Sequence, residues 1–187
     1  MSSQRRSQAE RRQQTYNQVL ESATQLFGER GYDGTSLEDI AVACGLTTRP
    51  IYHYFGNKKA LFAAVNEQQE QRILASMDAS ADVMSSWRSF LGLCDEAGFR
   101  RIVLLDSPNV LGRDRWGNSE VAQASLKFLV ADATQSKSQR IRQTLISRVL
   151  IAAFGECALM IAQADDTQMA KREADRLVQS LVQAFIG

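Results

Sequence analysis

The chain has 187 residues, enough to bury a substantial core without disulfide or metal staples. It is 44% hydrophobic with only 2 prolines, is rich in Ala, Leu, Gln, Glu and Arg, and has short β-branched runs, so an all-helical fold is expected and a sheet is not. A net charge of +1 excludes a protein that attracts polyanions with its whole surface, so any affinity for nucleic acid has to come from a local concentration of cations.

The N-terminal stretch supplies one such concentration. Arg5, Arg6, Arg11 and Arg12, opposed only by Glu10, make residues 1–14 a basic flexible arm, read equally as a solvated terminus or as a DNA-gripping one. The opening MSSQRRSQAERRQQ has no apolar core of the kind an export signal needs, which predicts a cytoplasmic protein. From Tyr16 the residues Val19, Leu20, Ala23, Leu26 and Phe27 recur at steps of three and four, the mark of an amphipathic helix, which Gly31 ends. Thr35 with Glu38, and Ser36 with Asp39, both have the spacing of a capping box, so a second helix starts here with Leu37, Ile40 and Ala41 on its apolar face. Gly45 turns the chain and Thr47 caps a third helix, where Pro50 is tolerated in the first turn.

That third helix, residues 48–55, carries the chemistry. It is roughly 12 Å long at 1.5 Å per residue and matches the width of a DNA major groove. Ile51, Phe55 and Leu46 are expected to face a three-helix core, leaving Thr48, Arg49, Tyr52 and His53, the only histidine, to read base edges. Arg49 suits guanine O6 and N7, Thr48 suits either kind of base edge, and Tyr52 a thymine methyl or a phosphate. Ser36, Thr47, Tyr54 and Lys58 are candidates for phosphate contacts, which set register without reading sequence. The competing reading of TTRPIYHY is a surface helix whose aromatic residues pack on a neighbour. One histidine and no paired cysteines leave no ordinary metal site, and no cofactor is implied.

Residues 31–61, with Gly31-Tyr32, then TSLEDIA, then CGLTTRPIYHYFGNKKAL, closely resemble the N-terminal domain of TetR-family transcriptional regulators. The shared pattern is a Gly-aromatic pair, Thr/Ser before an acidic-Ile-Ala step, Gly-Val/Leu-Ser/Thr, and an aromatic close to a Phe that is followed by Lys. RRIVLLDSPNVLG at residues 100–112 is similar to a stretch found in one branch of that family. The resemblance implies a two-domain, all-helical homodimer that binds a palindromic double-stranded operator, usually as a repressor, and releases it when a small molecule fills the C-terminal domain. Arg49-Pro50 departs from the small residues common there, so the bases read do not carry over.

A fourth helix from about Asn57, polar at Glu67, Gln68, Gln69, Glu70 and Gln71, is expected to connect the helix-turn-helix unit (15–60) through residues 61–80 to a ligand-binding and dimerisation domain (81–187). Within the latter, helices are expected at 87–93 and 99–105, a short one in the irregular stretch 106–119, and longer ones at 120–133 and 138–163, before a last amphipathic helix. Trp87, Phe90, Leu91, Cys94, Ile102, Leu105, Trp116 and Phe128 are candidates to line a pocket for a small apolar effector, though most suit a core better. Val149, Leu150, Ala153, Leu177, Leu181 and Phe185 are candidates for a four-helix dimer interface. The apolar run 149–162 is too short for a membrane span and contains Glu156, expected at a wet edge. Cys44, Cys94 and Cys157, widely spaced, suggest reduced thiols and no nucleophile. Two further readings remain: a non-specific architectural DNA protein and, least supported, an enzyme.

Overall fold

The computed structural model describes residues 7–77, 82–112, 119–129 and 136–186, and the side chains of all these except 125–129 and 186. Among the described residues there is no strand. The first half comprises α1 (Gln8–Arg30), α2 (Leu37–Ala43), α3 (Thr48–Phe55) and α4 (Lys58–Ser76). Then follow α5 (Val83–Cys94) and a composite helix of α6 (Ala97–Arg100), a π-helical segment (Arg101–Asp106) and α7 (Ser107–Val110). The chain continues in α8 (Glu120–Leu129), α9 (Lys137–Gln163) and α10 (Thr167–Ile186).

The start of α1 corrects the expectation of a flexible arm up to residue 14. Ser7 and Glu10 form a capping box, with the Glu10 N–H donating to Ser7 Oγ at 3.2 Å and the Ser7 N–H to the Glu10 carboxylate at 2.6 Å. Two satisfied N-terminal groups are enough to begin the helix at Gln8, so Arg11 and Arg12 lie on its first turns. Arg5 and Arg6 lie outside the described residues. The box at Ser36 and Asp39 starts α2, while the neighbouring Thr35 turns inward, its hydroxyl donating to the carbonyls of Leu26 and Gly31. Gly45, at φ 64°, reverses the chain with a backbone bond from Leu46 to the Ala41 carbonyl, a left-handed position that other residues adopt only under strain.

Val19, Ala23, Leu26 and Phe27 of α1 bury against Leu37, Ile40 and Ala41 of α2, Ile51 of α3 and Leu61, Phe62 and Val65 of α4. Each of the Val, Leu, Ile and Phe side chains among them contributes roughly 1.5–3 kcal/mol of burial. The same core runs on without a break to Trp87, Phe99, Ile102 and Val178 in the second half. α4 spans both halves, and its expected polar stretch is partly interior: Asn66, Gln69 and Glu70 are buried, with the Asn66 amide donating to Glu70 at 2.7 Å. Arg72 closes this face by reaching Gln69 at 2.9 Å and Glu96 at 2.5 Å.

Residues 97–110 depart from the expected helix, turn and short helix by forming one helix that is π-wound in the middle. Pro108 has no N–H for the carbonyl four residues back and its ring crowds that carbonyl, which disfavours an α-wound approach. The wider π winding relieves this, and the Ser107 N–H pairs five residues back with Ile102. This winding leaves Leu105 45% exposed, so it is not the pocket residue the sequence suggested.

α9 is 27 residues long, as expected at 138–163 but starting one residue earlier, and is the one described helix long and apolar enough to cross a membrane by those measures alone, although its apolar run 149–162 is too short to do so by itself. It nevertheless carries Arg140, Arg142, Arg148 and the exposed Glu156, and packs Ile146, Leu150, Cys157, Ala158 and Ile161 inward. Leu150, only 5% exposed, therefore belongs to its own protomer's core and not to the expected dimer surface.

Candidate nucleic-acid interface

α3 has two unlike faces. Ile51 is fully buried, Phe55 packs against the core beside it, as their spacing of four predicts, and Leu46 joins them from the turn before α3. On the opposite face Arg49 and His53 are exposed, Tyr52 is 51% exposed and Thr48 is half-buried, so one short surface brings these four together. Thr47 occupies the N-cap position in extended conformation, but its side chain makes no capping bond. The first turn of α3 also holds no acidic residue. Its free N–H groups thus remain available to an oxygen from outside, which is how a helix start meets phosphate.

The flanking candidates behave differently from one another. Tyr54 is half-buried, edge-on to Tyr16 of α1 with centroids 5.9 Å apart, and Tyr16 also stacks on Phe55 at 4.9 Å. These aromatic contacts hold the end of α3 against α1, so part of the packing alternative is present in the same helix. Lys58 lies with its ammonium 4.2 Å from the centre of the Tyr32 ring. Ser36 is turned onto Asp39, to whose carboxylate its hydroxyl donates at 2.6 Å and its N–H at 2.8 Å. Those bonds hold the Asp39 carboxyl below its ordinary value, the side-chain bond contributing most.

A groove between the start of α1 and the end of α3 is lined by Gln8, Ala9, Arg12, Gln13, Tyr16 and Tyr54. It places a cation beside α3 that sequence reasoning assigned only to a loose arm. The S-x-x-E spacing of Ser7 and Glu10 is the signal that reveals it.

In the second half, Trp87, Phe90, Cys94 and Ile102 are buried and Leu91 is half-buried against them. Trp87 packs on Phe154 with centroids 4.9 Å apart, and its indole N–H donates to Asp175 at 2.6 Å. Trp116 and the Phe128 side chain lie outside the described residues. Burial pushes the Cys94 thiol up to about 12, Arg100 pulling it down and Asp95 pushing it up by less, and burial followed by Glu156 raises Cys157. Thiols held in the protonated form are poor nucleophiles. Among the described residues no group of three His, Cys, Asp or Glu side chains is placed to hold a metal.

On the outer surface of α9 and α10, Val149 and Leu177 are exposed, Phe185 is partly so, and Ala153 and Leu181 are half-buried. Met160, read from sequence as part of this apolar surface, is exposed there, and Ile141, Leu145 and Met169 extend it beyond the residues that the sequence suggests.

Comparison with known proteins agrees with this geometry. The family model described as "Bacterial regulatory proteins, tetR family" matches residues 19–65, and that described as "Tetracyclin repressor-like, C-terminal domain" matches residues 80–185. The HTH-type transcriptional regulator UidR of Escherichia coli is 33% identical over 134 residues, 70% of this chain and 66% of UidR. The chain spans less than two thirds of the length of the curated relatives it matches. A TetR-family regulator of Pectobacterium atrosepticum superposes with a TM-score of 0.68 at 26% identity, over 97% of this chain and 98% of that one. A TetR variant of Acinetobacter baumannii in complex with minocycline shares the fold, with a TM-score of 0.64 at 20% identity over 89% of this chain and 93% of that one. The chain belongs to the TetR family of bacterial regulatory proteins, a family of DNA-binding transcriptional regulators rather than enzymes.

Proposed function

We propose that this chain binds a palindromic double-stranded operator as a homodimer, represses from it in the cytoplasm, and leaves the DNA when a small, largely apolar effector fills its C-terminal half. The observation that carries the DNA reading is the division of α3, with Ile51 fully buried beneath and Thr48, Arg49, Tyr52 and His53 turned outward. Arg49 takes guanine O6 and N7, Thr48, Tyr52 and His53 read neighbouring edges, and Thr47, Tyr54 and Lys58 meet phosphates. Ser36 offers phosphate little, since its hydroxyl and N–H both serve Asp39.

The exposed apolar surface of Val149, Leu177 and Phe185, continued by Ile141 and Leu145, supports a four-helix interface with a second copy. A dimer would set its two α3 helices about 34 Å apart, one turn of the duplex. The effector reading is supported by the description of the C-terminal match as tetracycline-repressor-like and by the apolar group Trp87, Phe90, Leu91 and Ile102. An effector that prefers the DNA-incompetent arrangement by about 3 kcal/mol weakens binding about 100-fold.

The test is selection of bound duplexes from a random pool by the full chain, followed by affinity measurement at fixed salt. A symmetric enriched site bound about 10³-fold or more tighter than random duplex is the expected result. A flat ratio, with steep salt dependence alone, would make the protein a non-specific DNA binder.

A further inference from the structure

Two contacts join the C-terminal half to the helix-turn-helix unit through the end of α1. At the first, α1 and α6 cross backbone to backbone: a methyl group on Gly28 would lie 3.0 Å from Gly98 Cα, and one on Gly98 would lie 3.3 Å from Gly28 Cα. At the second, further along both helices, the Tyr32 N–H donates to the Asp106 carboxylate at 2.8 Å, across 74 positions of sequence. Asp106 is the last residue of the π-helical segment, and Arg101, its first, lies alongside the same turn at Gly31. The Tyr32 ring in turn packs on Phe62 at 5.2 Å and carries the Lys58 ammonium at 4.2 Å. One residue thus receives a hydrogen bond partner from the C-terminal half on its backbone and a DNA-side cation on its ring.

We infer that Asp106 is a positioning residue for DNA binding: the π winding of Arg101–Asp106 holds its carboxylate on the Tyr32 amide, and this catch fixes the helix-turn-helix unit in its DNA-competent orientation. Rewinding the segment to α geometry changes the register by one residue, on the order of 100° about the helix axis, and carries the carboxylate off the amide. The Gly28 and Gly98 crossing acts as the pivot, since backbones in contact leave no side chain to absorb the motion. Pro108 biases the segment toward the engaged form by withholding an N–H from the ladder. The sign of the effect rests on the reading of the chain as a DNA binder released by its effector.

The test compares the full-length wild type with Asp106→Asn and Asp106→Ala. Amide exchange at Tyr32 is read without DNA, and affinity is read on the duplex that the wild type enriches from a random pool. Both variants remove one negative charge, which by itself strengthens attraction to DNA, so a loss of affinity reports geometry and not field. The asparagine keeps an acceptor for the Tyr32 N–H, whereas alanine does not.

The expected result is that Asp106→Ala exchanges Tyr32 about tenfold faster and binds about tenfold more weakly, while Asp106→Asn stays near wild type in both. Unchanged Tyr32 exchange in Asp106→Ala, or equal losses in the two variants, overturns the inference. A wild type that enriches no duplex overturns the operator reading and the inference with it. A wild type that enriches one, with Asp106→Ala binding it undiminished, overturns the inference alone.

Discussion

The ammonium of Lys58 rests 4.2 Å from the centre of the Tyr32 ring, at the first residue of α4 and three residues beyond Phe55, the last of α3. A cation over an aromatic face keeps its charge while losing side-chain freedom, so under the proposed operator reading a phosphate would meet it partly pre-oriented. Arg49, by contrast, extends from α3 into solvent.

This difference predicts a division of labour. Lys58→Ala is expected to weaken all duplexes alike and to reduce the slope of log affinity against log salt by about 1. Arg49→Ala is expected to cost about 1–3 kcal/mol on the enriched site and to relax preference at one position of each half-site. Titration of matched and singly substituted duplexes at several salt concentrations separates the two, and identical profiles would refute the assignment.

The two glycines Gly28 and Gly92 predict opposite outcomes for the same substitution. A methyl group on Gly28 meets Gly98 Cα at 3.0 Å, and backbone cannot step aside as a flexible side chain would. Gly28→Ala is therefore expected to destabilise by about 1–3 kcal/mol. Gly92 lies in α5 with nothing within 4 Å of the added methyl. There alanine is expected to stabilise by about 0.5–1 kcal/mol, since a helix interior favours it over glycine. Urea unfolding of the two variants measures both signs.

How much of this was legible in the sequence depends on how local the cause is. Ser36 with Asp39, the Gly45 turn and the spacing of Ile51 to Phe55 are nearest-neighbour effects, so α2, α3 and the outward set Thr48, Arg49, Tyr52 and His53 were readable. The Ser7 and Glu10 box was equally local but was outweighed by the cluster of arginines around it. The π segment was not readable, because RIVLLD satisfies an ordinary helix and only the geometry around Pro108 argues otherwise. Nor was the pairing of Asp106 with Tyr32, which no local pattern encodes. α9 failed for a third reason: apolar residues occupy its outward as well as its inward face, so its periodicity does not say that Leu150 faces inward and Val149 outward.

Those two neighbours make a test of the dimer surface. Leu150→Ala removes a buried side chain and is expected to cost about 2–5 kcal/mol of stability. Val149→Asp and Leu177→Glu, at positions 47% and 52% exposed in the single chain, are expected to leave the fold helical and to abolish self-association. Sedimentation equilibrium at micromolar protein reads the mass, and circular dichroism reads the fold. Unchanged association in both charged variants would locate the interface elsewhere.

Trp87 ties α5 to α10 through its indole N–H on Asp175. Trp87→Phe keeps much of the apolar contact with Phe154 but removes the donor. The Asp175 side chain is 40% exposed and takes up water in its place, so the expected loss is about 1–2 kcal/mol, against about 3–5 kcal/mol for Trp87→Ala. Denaturant midpoints rank the variants, and a phenylalanine as damaging as alanine would show that the hydrogen bond and not the packing holds this corner.

Acid should loosen α2 and the start of α5 before the core responds. The Asp39 carboxyl is held below its ordinary value of 3.8 by the Ser36 hydroxyl, then by the Ser36 N–H, with Arg30 adding a smaller pull. Asp82, which caps α5, is held below the same 3.8 by the backbone and then the side chain of Ser85. A carboxylate whose folded value is depressed contributes stability that is fully present above its unfolded value and is lost as pH falls through the folded one. The contribution is therefore intact at neutral pH and disappears below about pH 4. The protection factors of the Asp39 and Ser85 amides, whose N–H groups the two caps hold, are expected to fall in that range ahead of those of Ile51 and Leu61. Asp39→Asn removes the titrating group, so its α2 should show a flatter acid response than the wild type while Asp82 keeps its own. Parallel acid profiles for Asp39 and Ile51 would mean that α2 opens only with the whole domain, and that its cap does not set a local stability.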